Sequence, residues 1–146
     1  MTDTRTARTV ARKMGIKAGS RAHFAGAPDS VVAAMCLPAL DLCDELTREF
    51  DYLHLFVTRQ HQMRGQFPVL RDRLRANGML WVSWPKRGQL GTDLTMKSVI
   101  AIGYDLSMVE STCLRIDEVW AGLKFTHPKP GKVYANSYGT LPGHYA

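Results

Sequence analysis

Two short segments that are apolar at almost every position constrain the fold of this chain more than any other feature. They are YLHLFV, residues 52–57, and MLWVSW, residues 79–84. Strands of this kind are typical of a sheet covered on both faces, and such sheets are mostly parallel. Parallel neighbours need a long crossover connection, usually a helix. The two segments therefore predict a β-α-β unit within a three-layer α/β sandwich.

The residues between these segments predict the crossover helix. Four apolar residues recur at steps of four, three and four: Met63, Phe67, Leu70 and Leu74. Gly65 and Pro68 interrupt the pattern, so we expect either a kink or a start delayed to Phe67. Asn77-Gly78 predicts a left-handed stop at the end of this helix.

Further elements are predicted before the first segment. Residues 20–25 favour a strand, and Gly26 to Pro28 favour a turn leading into a helix. The buried face of that helix is predicted to comprise Val31, Val32, Met35 and Cys36. Residues 38–50 are ambiguous, with a short strand near Leu40 followed by either an acidic turn or a helix.

After the second segment, a helix is predicted from Asp93 or Thr95, either of which can cap it, to about Gly103. Residues 109–116 and 119–125 then favour two strands. Asp117-Glu118 lies between them, either at a bend or as a continuation of the alternating pattern. This pair is joined too closely for a crossover helix, so we expect it to be antiparallel and to form one edge of a mostly parallel sheet.

The chain is long enough, at 146 residues and 45% apolar, for one domain with a substantial core. We predict a flexible basic arm over residues 1–13, a single α/β domain over 14–126, and an irregular tail over 127–146. The absence of an apolar run near twenty residues excludes a spanning helix, so no membrane partner is expected. Three cysteines without a CxxC pair, and no secretory signal, favour a cytoplasmic protein without a metal site.

The order of these elements resembles the class I methyltransferase variant of the Rossmann fold. The resemblance rests on FDYLHLFV, on LRANGMLWVSW and on the late strand pair. It implies an S-adenosylmethionine site in a glycine-rich turn after the first strand. Here that turn is FAGAPDS, where Gly26 stands alone and Pro28 removes one amide. Asp41 or Asp44 is either a ribose-binding acid or part of a solvated acidic segment. A divergent S-adenosylmethionine-dependent enzyme is therefore an alternative, and no cofactor is predicted.

A second resemblance covers most of the chain, from Met14 to about Phe125. The blocks MGIKAG, FDYLHLFVT, LWVSWPK, TDLT and IDEVWAGLKF are similar to those of a bacterial family known as domain of unknown function 3052. This resemblance implies no particular activity, cofactor or site residue. The chain departs from the pattern at Met96 and Lys97, where acidic residues usually follow TDLT, and in its longer tail.

The best candidate for a ligand site is the loop WVSWPKRGQLGTDLT. It leaves the carboxyl end of a predicted parallel strand, where open α/β sheets bind ligands. The positive charges of two cations, the close approach that two glycines allow, and the free N–H groups at the start of the next helix favour binding of a small anion there. The residues concerned are Lys86, Arg87, Gly88, Gly91, Thr92, Asp93 and Thr95. The alternative is a capped helix behind a solvated loop, since the Asp93 carboxylate can itself bind the N–H groups.

The segment IDEVWAGLKF adds Asp117, Glu118 and Trp120 to the candidate site. The two acids form an acid–base pair only if a bend brings them together; otherwise either acid pairs structurally with Lys124 or Lys86. Trp120, like Trp84, stacks on a planar ligand or belongs to the core. Cys113, in a predicted strand, is expected to be buried rather than nucleophilic.

The formal charge of +6 makes a polyanionic partner possible. Arg64, Arg71 and Arg75 fall near one helical stripe, although interleaved aromatic residues and nucleic-acid motifs are missing. Three functions remain open. The leading prediction is a non-catalytic or accessory protein that binds a small anionic ligand; the alternatives are the divergent transferase and a basic module that binds nucleic acid or protein. Oligomeric state is not predicted.

Overall fold

The computed structural model of the protein describes residues 10–134 and 138–142, which contain a six-stranded sheet with helices on both faces. The strands are β1 (Arg21–Ala25), β2 (Asp41–Leu42), β3 (Phe50–Phe56), β4 (Leu74–Pro85), β5 (Val109–Arg115) and β6 (Trp120–Thr126). The helices are α1 (Asp29–Ala34), α2 (Gln60–Arg71) and α3 (Met96–Asp105). The strand order is β2-β1-β3-β4-β6-β5.

Strands β2, β1, β3 and β4 are parallel, and β6 runs antiparallel to both β4 and β5. The late strand pair is therefore antiparallel and forms one edge, with β6 inside it and β5 outermost. The predicted α/β class, with its mostly parallel sheet, is confirmed. The two apolar segments are neighbours in the sheet, where Leu55 pairs with Val82 and His54 with Trp81.

Two apolar clusters, one on each face of the sheet, make up the core. The first, which we call the α2/α3 cluster, joins Leu53 and Leu55 of β3 to Phe67 of α2 and Ile102 of α3. The second, which we call the Trp81 cluster, lies on the other face and is covered by Met14, Val31 and Met35. Alternate side chains of β3 and β4 enter opposite clusters, which is why both segments are apolar throughout.

The crossover helix α2 begins earlier and ends earlier than predicted. Of the two alternatives, a kink or a delayed start, the start at Phe67 is wrong. The helix begins at Gln60, where Gln62 Oε1 accepts the Thr58 and Arg59 N–H groups at 3.0 and 3.1 Å. Pro68 lies inside the helix, and Leu74 opens β4 instead of extending α2.

Asn77-Gly78 is not a helix stop but part of a bulge within β4. The register moves from Phe50–Leu74 to Tyr52–Met79, so one residue of β3 lies opposite residues 75–78. Gly78 is not in the left-handed region, contrary to the prediction. Its missing side chain matters for another reason, since a Cβ there would lie 2.7 Å from Leu74 Cδ1 and 3.0 Å from Phe50 O.

Both cysteines that were expected to be buried in predicted elements are exposed. Cys36 follows the six-residue helix α1 instead of belonging to it, although Val31 and Met35 are buried as predicted and Val32 is half-buried. Cys113 is exposed because β5 is an edge strand whose side chains alternate between core and solvent. The ambiguous residues 38–50 form the short strand β2 followed by turns, not a helix.

The chain ends differ in how much of them the structure describes. Most of the predicted arm lies outside the described residues, but residues 10–14 are helical, with Ala11 and Met14 buried. In the predicted tail, residues 127–134 form neither helix nor strand, and Leu141 packs into the α2/α3 cluster. The remaining tail residues, 135–137 and 143–146, lie outside the described part. Within the described ranges, the helices are too short or too polar to cross a membrane.

Candidate functional site

The predicted ligand loop follows β4 directly and forms a series of tight turns over Lys86–Gly91. Arg87 and Leu90 have φ of 54°, and Gly88 and Gly91 have φ of 72° and 66°, all in the left-handed region. The loop lies at the carboxyl end of β4, beside the parallel strand β3, as the sequence predicts. Its position is that of a ligand-binding loop in an open α/β sheet.

The second half of the candidate loop is occupied by structural hydrogen bonds. Thr92 Oγ1 donates to Thr58 O at 2.5 Å, which ties the loop to the end of β3. Asp93 Oδ1 accepts the Gln60 N–H at 2.8 Å, so this carboxylate caps α2 and not the helix that follows it. Thr95 caps α3 in a reciprocal arrangement with Ser98, with bonds of 3.2 and 2.8 Å. These three residues hold the loop in place through hydrogen bonds within the protein.

Asp117 and Glu118 lie in the turn between β5 and β6, where the chain bends as one alternative predicted. The Asp117 carboxylate accepts the Val119 and Trp120 N–H groups at 2.8 and 2.7 Å, so it stabilises the turn. In the described structure neither acid forms an ion pair with Lys86 or Lys124. Trp120 is buried, edge-on to Phe56 at 5.2 Å, and belongs to the Trp81 cluster; Trp84 is buried in the other cluster.

Two cations converge on one backbone carbonyl at this edge of the sheet. Lys86 Nζ donates to Asp117 O at 2.8 Å, and Arg115 Nε donates to the same oxygen at 3.3 Å. Partial desolvation, and then the charges of Arg115 and Arg87, lower the pKa of Lys86, against opposing effects of Asp117 and Glu118. Arg115 was not among the predicted site residues. Its place at the end of β5, one turn before β6, was the signal that could have identified it.

The turn after β1, where a class I methyltransferase binds its cofactor, is built around Gly26. This residue has φ of 73°, and a Cβ there would lie 2.7 Å from Phe56 O. The adjoining depression, about 490 Å³, is lined by Gly26 together with residues of β1 and α1, including Val32 and Ala33. The acidic residues of segment 41–45 do not line it. Gly26 is thus required both by its left-handed φ and by the close approach of the Phe56 carbonyl.

A buried polar chain lies on the Trp81 face of the sheet and was not predicted. Tyr52 Oη lies 2.7 Å from His54 Nδ1, and Ser83 Oγ lies 2.7 Å from His54 Nε2. All three residues are fully buried. Burial lowers the pKa of His54 to about 3 and raises the pKa of Tyr52 well above its usual value. The sequence signal was a single polar residue in the middle of each apolar segment. No group of three or more metal-ligating side chains occurs in the described ranges.

The predicted arginine stripe is wrong, because its members serve different elements. Arg64 pairs with Asp105 at 3.2 Å, and Arg71 donates to Leu106 O at 2.9 Å, which fastens α2 to the end of α3. Arg75 lies in β4 and not in the helix, where it pairs with Asp51 at 2.7 Å. Arg75 therefore does not share a helical stripe with Arg64 and Arg71.

Solved structures with a similar fold include several methyltransferases. A ribosomal protein L11 methylase from Lactobacillus delbrueckii superposes with a TM-score of 0.57 at 12% identity, covering 87% of this chain and 79% of that one. A precorrin-6y C5,15-methyltransferase from Geobacter metallireducens gives 0.56 at 10%, covering 88% and 90%. A magnesium protoporphyrin IX methyltransferase from Synechocystis with bound S-adenosylmethionine gives 0.55 at 10%, covering 85% and 79%.

No sequence model of a protein family matches the chain, and neither does any curated protein. The structural likeness, at 10 to 12% identity, concerns the backbone and not the chemistry of the site. The protein has a Rossmann-like, methyltransferase-like α/β fold.

Proposed function

We propose that the protein is a non-catalytic binding protein for a small anion at the carboxyl edge of its sheet. The observation that carries this proposal is the convergence of Lys86 and Arg115 on the carbonyl oxygen of Asp117. Arg87, exposed in the neighbouring turn, adds a third positive charge. In the described part of the protein, none of these three side chains has a carboxylate within ion-pair distance.

A neutral carbonyl oxygen offsets little of the repulsion between two positive charges. An anion bound to Lys86 and Arg115 in its place would therefore be held by a favourable electrostatic free energy. A phosphate or carboxylate offers two or three acceptor oxygens to the ammonium and guanidinium donors, and bonds of this charge-assisted kind are the strong ones. The acids that follow Arg115 in the turn are Asp117 and Glu118. The Asp117 carboxylate is bound to two backbone N–H groups, which is suited to shaping the turn and not to transferring protons. Binding without catalysis is therefore the function that these contacts support.

Calorimetric titration with inorganic phosphate, AMP and S-adenosylmethionine tests the proposal. We expect at least one anion to bind the native protein, and its affinity to fall at least about tenfold when Lys86 and Arg115 are both changed to Ala, since each charged contact contributes about 1.5–3 kcal/mol. The matched control removes two exposed cations elsewhere, Arg48→Ala with Lys97→Ala. The proposal fails if no anion binds, or if both double variants weaken binding equally.

A second candidate is a divergent S-adenosylmethionine-binding protein of the methyltransferase type. The fold supports it, as does the depression beside Gly26, which lies at the carboxyl end of β1 where the strand order reverses. Ala33 lines that depression, whereas its neighbour Ala34 does not. We expect Ala33→Trp to abolish S-adenosylmethionine binding and Ala34→Trp to preserve it. Equal behaviour of the two variants, or no binding by the native chain, would exclude this candidate.

Two further expectations remain proposals. Membership of the family of domain of unknown function 3052 is supported by the sequence blocks from Met14 to Phe125. A cytoplasmic location is supported by Cys36, Cys43 and Cys113, which are all free thiols. Fractionation of cells that express the chain with a terminal tag would test the location.

A further inference from the structure

The opposite edge of the sheet, formed by the amino ends of the parallel strands, carries a larger opening. The bulge at residues 75–78 interrupts the pairing of β4 with β3 after Leu74, and β6 ends beside it. A depression of about 880 Å³ lies there, and a second of about 350 Å³ shares four lining residues with it: Asn77, Gly78, Lys124 and Thr126. We call these two adjoining depressions together the amino-edge cleft.

Lysine side chains dominate the charge of the amino-edge cleft. It is lined by Lys17, Lys124, Lys129 and Lys132. Among residues 10–134 and 138–142, these four ammonium groups have no carboxylate within 4.0 Å. Lys17, Lys129 and Lys132 are exposed, and Lys124 is half-buried. Four positive groups thus line the same concave space without an acidic partner in the described ranges.

The two acids that also line the cleft are engaged by neighbouring groups. Asp51 accepts Arg75 Nη1 at 2.7 Å and the Arg21 N–H at 2.9 Å, and hydrogen bonds and charges from these arginines hold its pKa low despite desolvation. Glu110 accepts the Tyr104 hydroxyl at 3.1 Å. The four lysines outnumber these two carboxylates, so the lining of the cleft carries an excess of positive charge.

Two aromatic side chains, His127 and Tyr134, line the amino-edge cleft together with the lysines. His127 is fixed by a hydrogen bond of 3.0 Å between its Nε2 and Leu74 O, and Tyr134 lies with Lys132 Nζ 5.2 Å from its ring centroid. Cations that neutralise phosphates, interleaved with rings on which bases stack, are the two features that single-stranded nucleic acid requires. An acidic peptide would use the lysines but has no flat base to place against the rings.

We propose that the amino-edge cleft binds single-stranded nucleic acid without sequence preference. The lysines contact backbone phosphates, and Tyr134 and His127 provide stacking surfaces. The concave shape of the cleft suits a flexible single strand, whereas a duplex presents a wide convex cylinder. This site uses none of the residues of the anion site at the carboxyl edge, so either proposal can fail without the other.

Fluorescence anisotropy with a labelled oligothymidylate tests the proposal at low and moderate salt. Native protein is expected to bind, with an affinity that falls steeply as salt rises. The variant Lys124→Glu with Lys129→Glu should bind at least about tenfold more weakly, and the slope of log K against log salt should flatten by about 0.7 for each phosphate that the variant no longer neutralises. Circular dichroism checks that the variant is folded, and the milder Lys124→Ala with Lys129→Ala should weaken binding in the same direction.

The matched control changes net charge equally at residues outside the cleft, Arg48→Glu with Lys97→Glu, and should retain most of the binding. Three results would overturn the proposal. One is no binding at low salt, and another is equal weakening in both double-Glu variants, which would mean attraction by net charge only. The third is displacement of the oligonucleotide by polyglutamate at the same charge concentration, which would point to an acidic peptide. Binding that resists polyglutamate and disappears only in the cleft variants supports it.

Discussion

At the scale of single residues, the fully buried chain Tyr52–His54–Ser83 has the largest consequence for stability. The neutral imidazole donates from one ring nitrogen and accepts at the other, so it joins both hydroxyls in a hydrogen-bonded chain that carries no charge. A proton added to His54 would place an uncompensated charge between Phe56, stacked at 4.3 Å, and the Trp81 ring. The native state therefore excludes protonated His54 over most of the acid range.

This exclusion predicts that stability falls with pH. The pKa of His54 is about 3 in the native protein and near 6.5 when unfolded, so the unfolded state binds the extra proton. Below pH 6.5 the free energy of unfolding should fall by up to about 1.4 kcal/mol per pH unit. Urea unfolding at four pH values between about 7.5 and about 5.0 measures it. In His54→Gln this decline should be absent above pH 5, and an equal decline in the variant would contradict the explanation.

Residue roles were the least predictable part of the site. Lys86 and Arg87 were predicted because two positive charges beside glycines, directly after a strand, are visible in the sequence. Arg115 was not, because it meets Lys86 at the Asp117 carbonyl only through the fold of the β5–β6 turn. The structural hydrogen bonds of Thr92 and Asp93 were not predicted, since their partners, Thr58 and Gln60, lie more than thirty residues away. Such long-range hydrogen bonds depend on strand register, which a local pattern does not contain.

At the scale of elements, two helical glycines differ in whether the structure has room for a side chain. Gly103 of α3 lies against the Phe125 ring, which a Cβ would overlap, whereas a Cβ on Gly65 of α2 would meet nothing within 4 Å. Gly103 therefore lets α3 approach β6 closely. Gly65 has no such contact and lowers the helix propensity of α2.

The same substitution should consequently change stability in opposite directions. Gly103→Ala is expected to destabilise the protein by about 1–3 kcal/mol through overpacking, and Gly65→Ala to stabilise it by about 0.5–1 kcal/mol. Chemical denaturation of the two variants alongside the native chain measures both effects, each serving as the other's control. Destabilisation by both would show that α2 is more constrained at Gly65 than its open surroundings indicate.

Element types were predicted better than their ends. The crossover helix was found from its apolar spacing, but its boundaries depend on Gln62 and Asp93, which cap it from outside that spacing. Leu74 fits the helical period and yet starts β4, because the bulge at 75–78 lets the strand begin earlier. Tertiary contacts thus decided positions that local propensity left open.

At the scale of the whole molecule, the central strands contribute side chains to both apolar clusters, so we expect the two clusters to unfold together. Strand β4 sends Trp81 into one cluster and Trp84 into the other, so neither face of the sheet can lose its packing without disturbing the other. The fold class was predictable for the same reason, since segments buried on both faces have few alternatives to a central parallel strand.

This arrangement predicts a single unfolding transition. Trp84→Phe leaves tryptophans only in the Trp81 cluster, and Trp81→Phe with Trp120→Phe leaves one only in the α2/α3 cluster. In each variant, denaturation followed by fluorescence and by far-ultraviolet circular dichroism should give coincident midpoints. Midpoints that separate in either variant would show that one layer melts independently of the other.

The turn after β1 has a practical consequence for anyone who would adapt this scaffold as a cofactor-dependent enzyme. Gly26 leaves room for the Phe56 carbonyl of the neighbouring strand β3, and Pro28 has no amide hydrogen. Swapping side chains there would not restore the main-chain donor that is absent at Pro28. A designer would first have to lengthen and re-route that stretch of main chain, and only afterwards choose which amino acids to graft onto it.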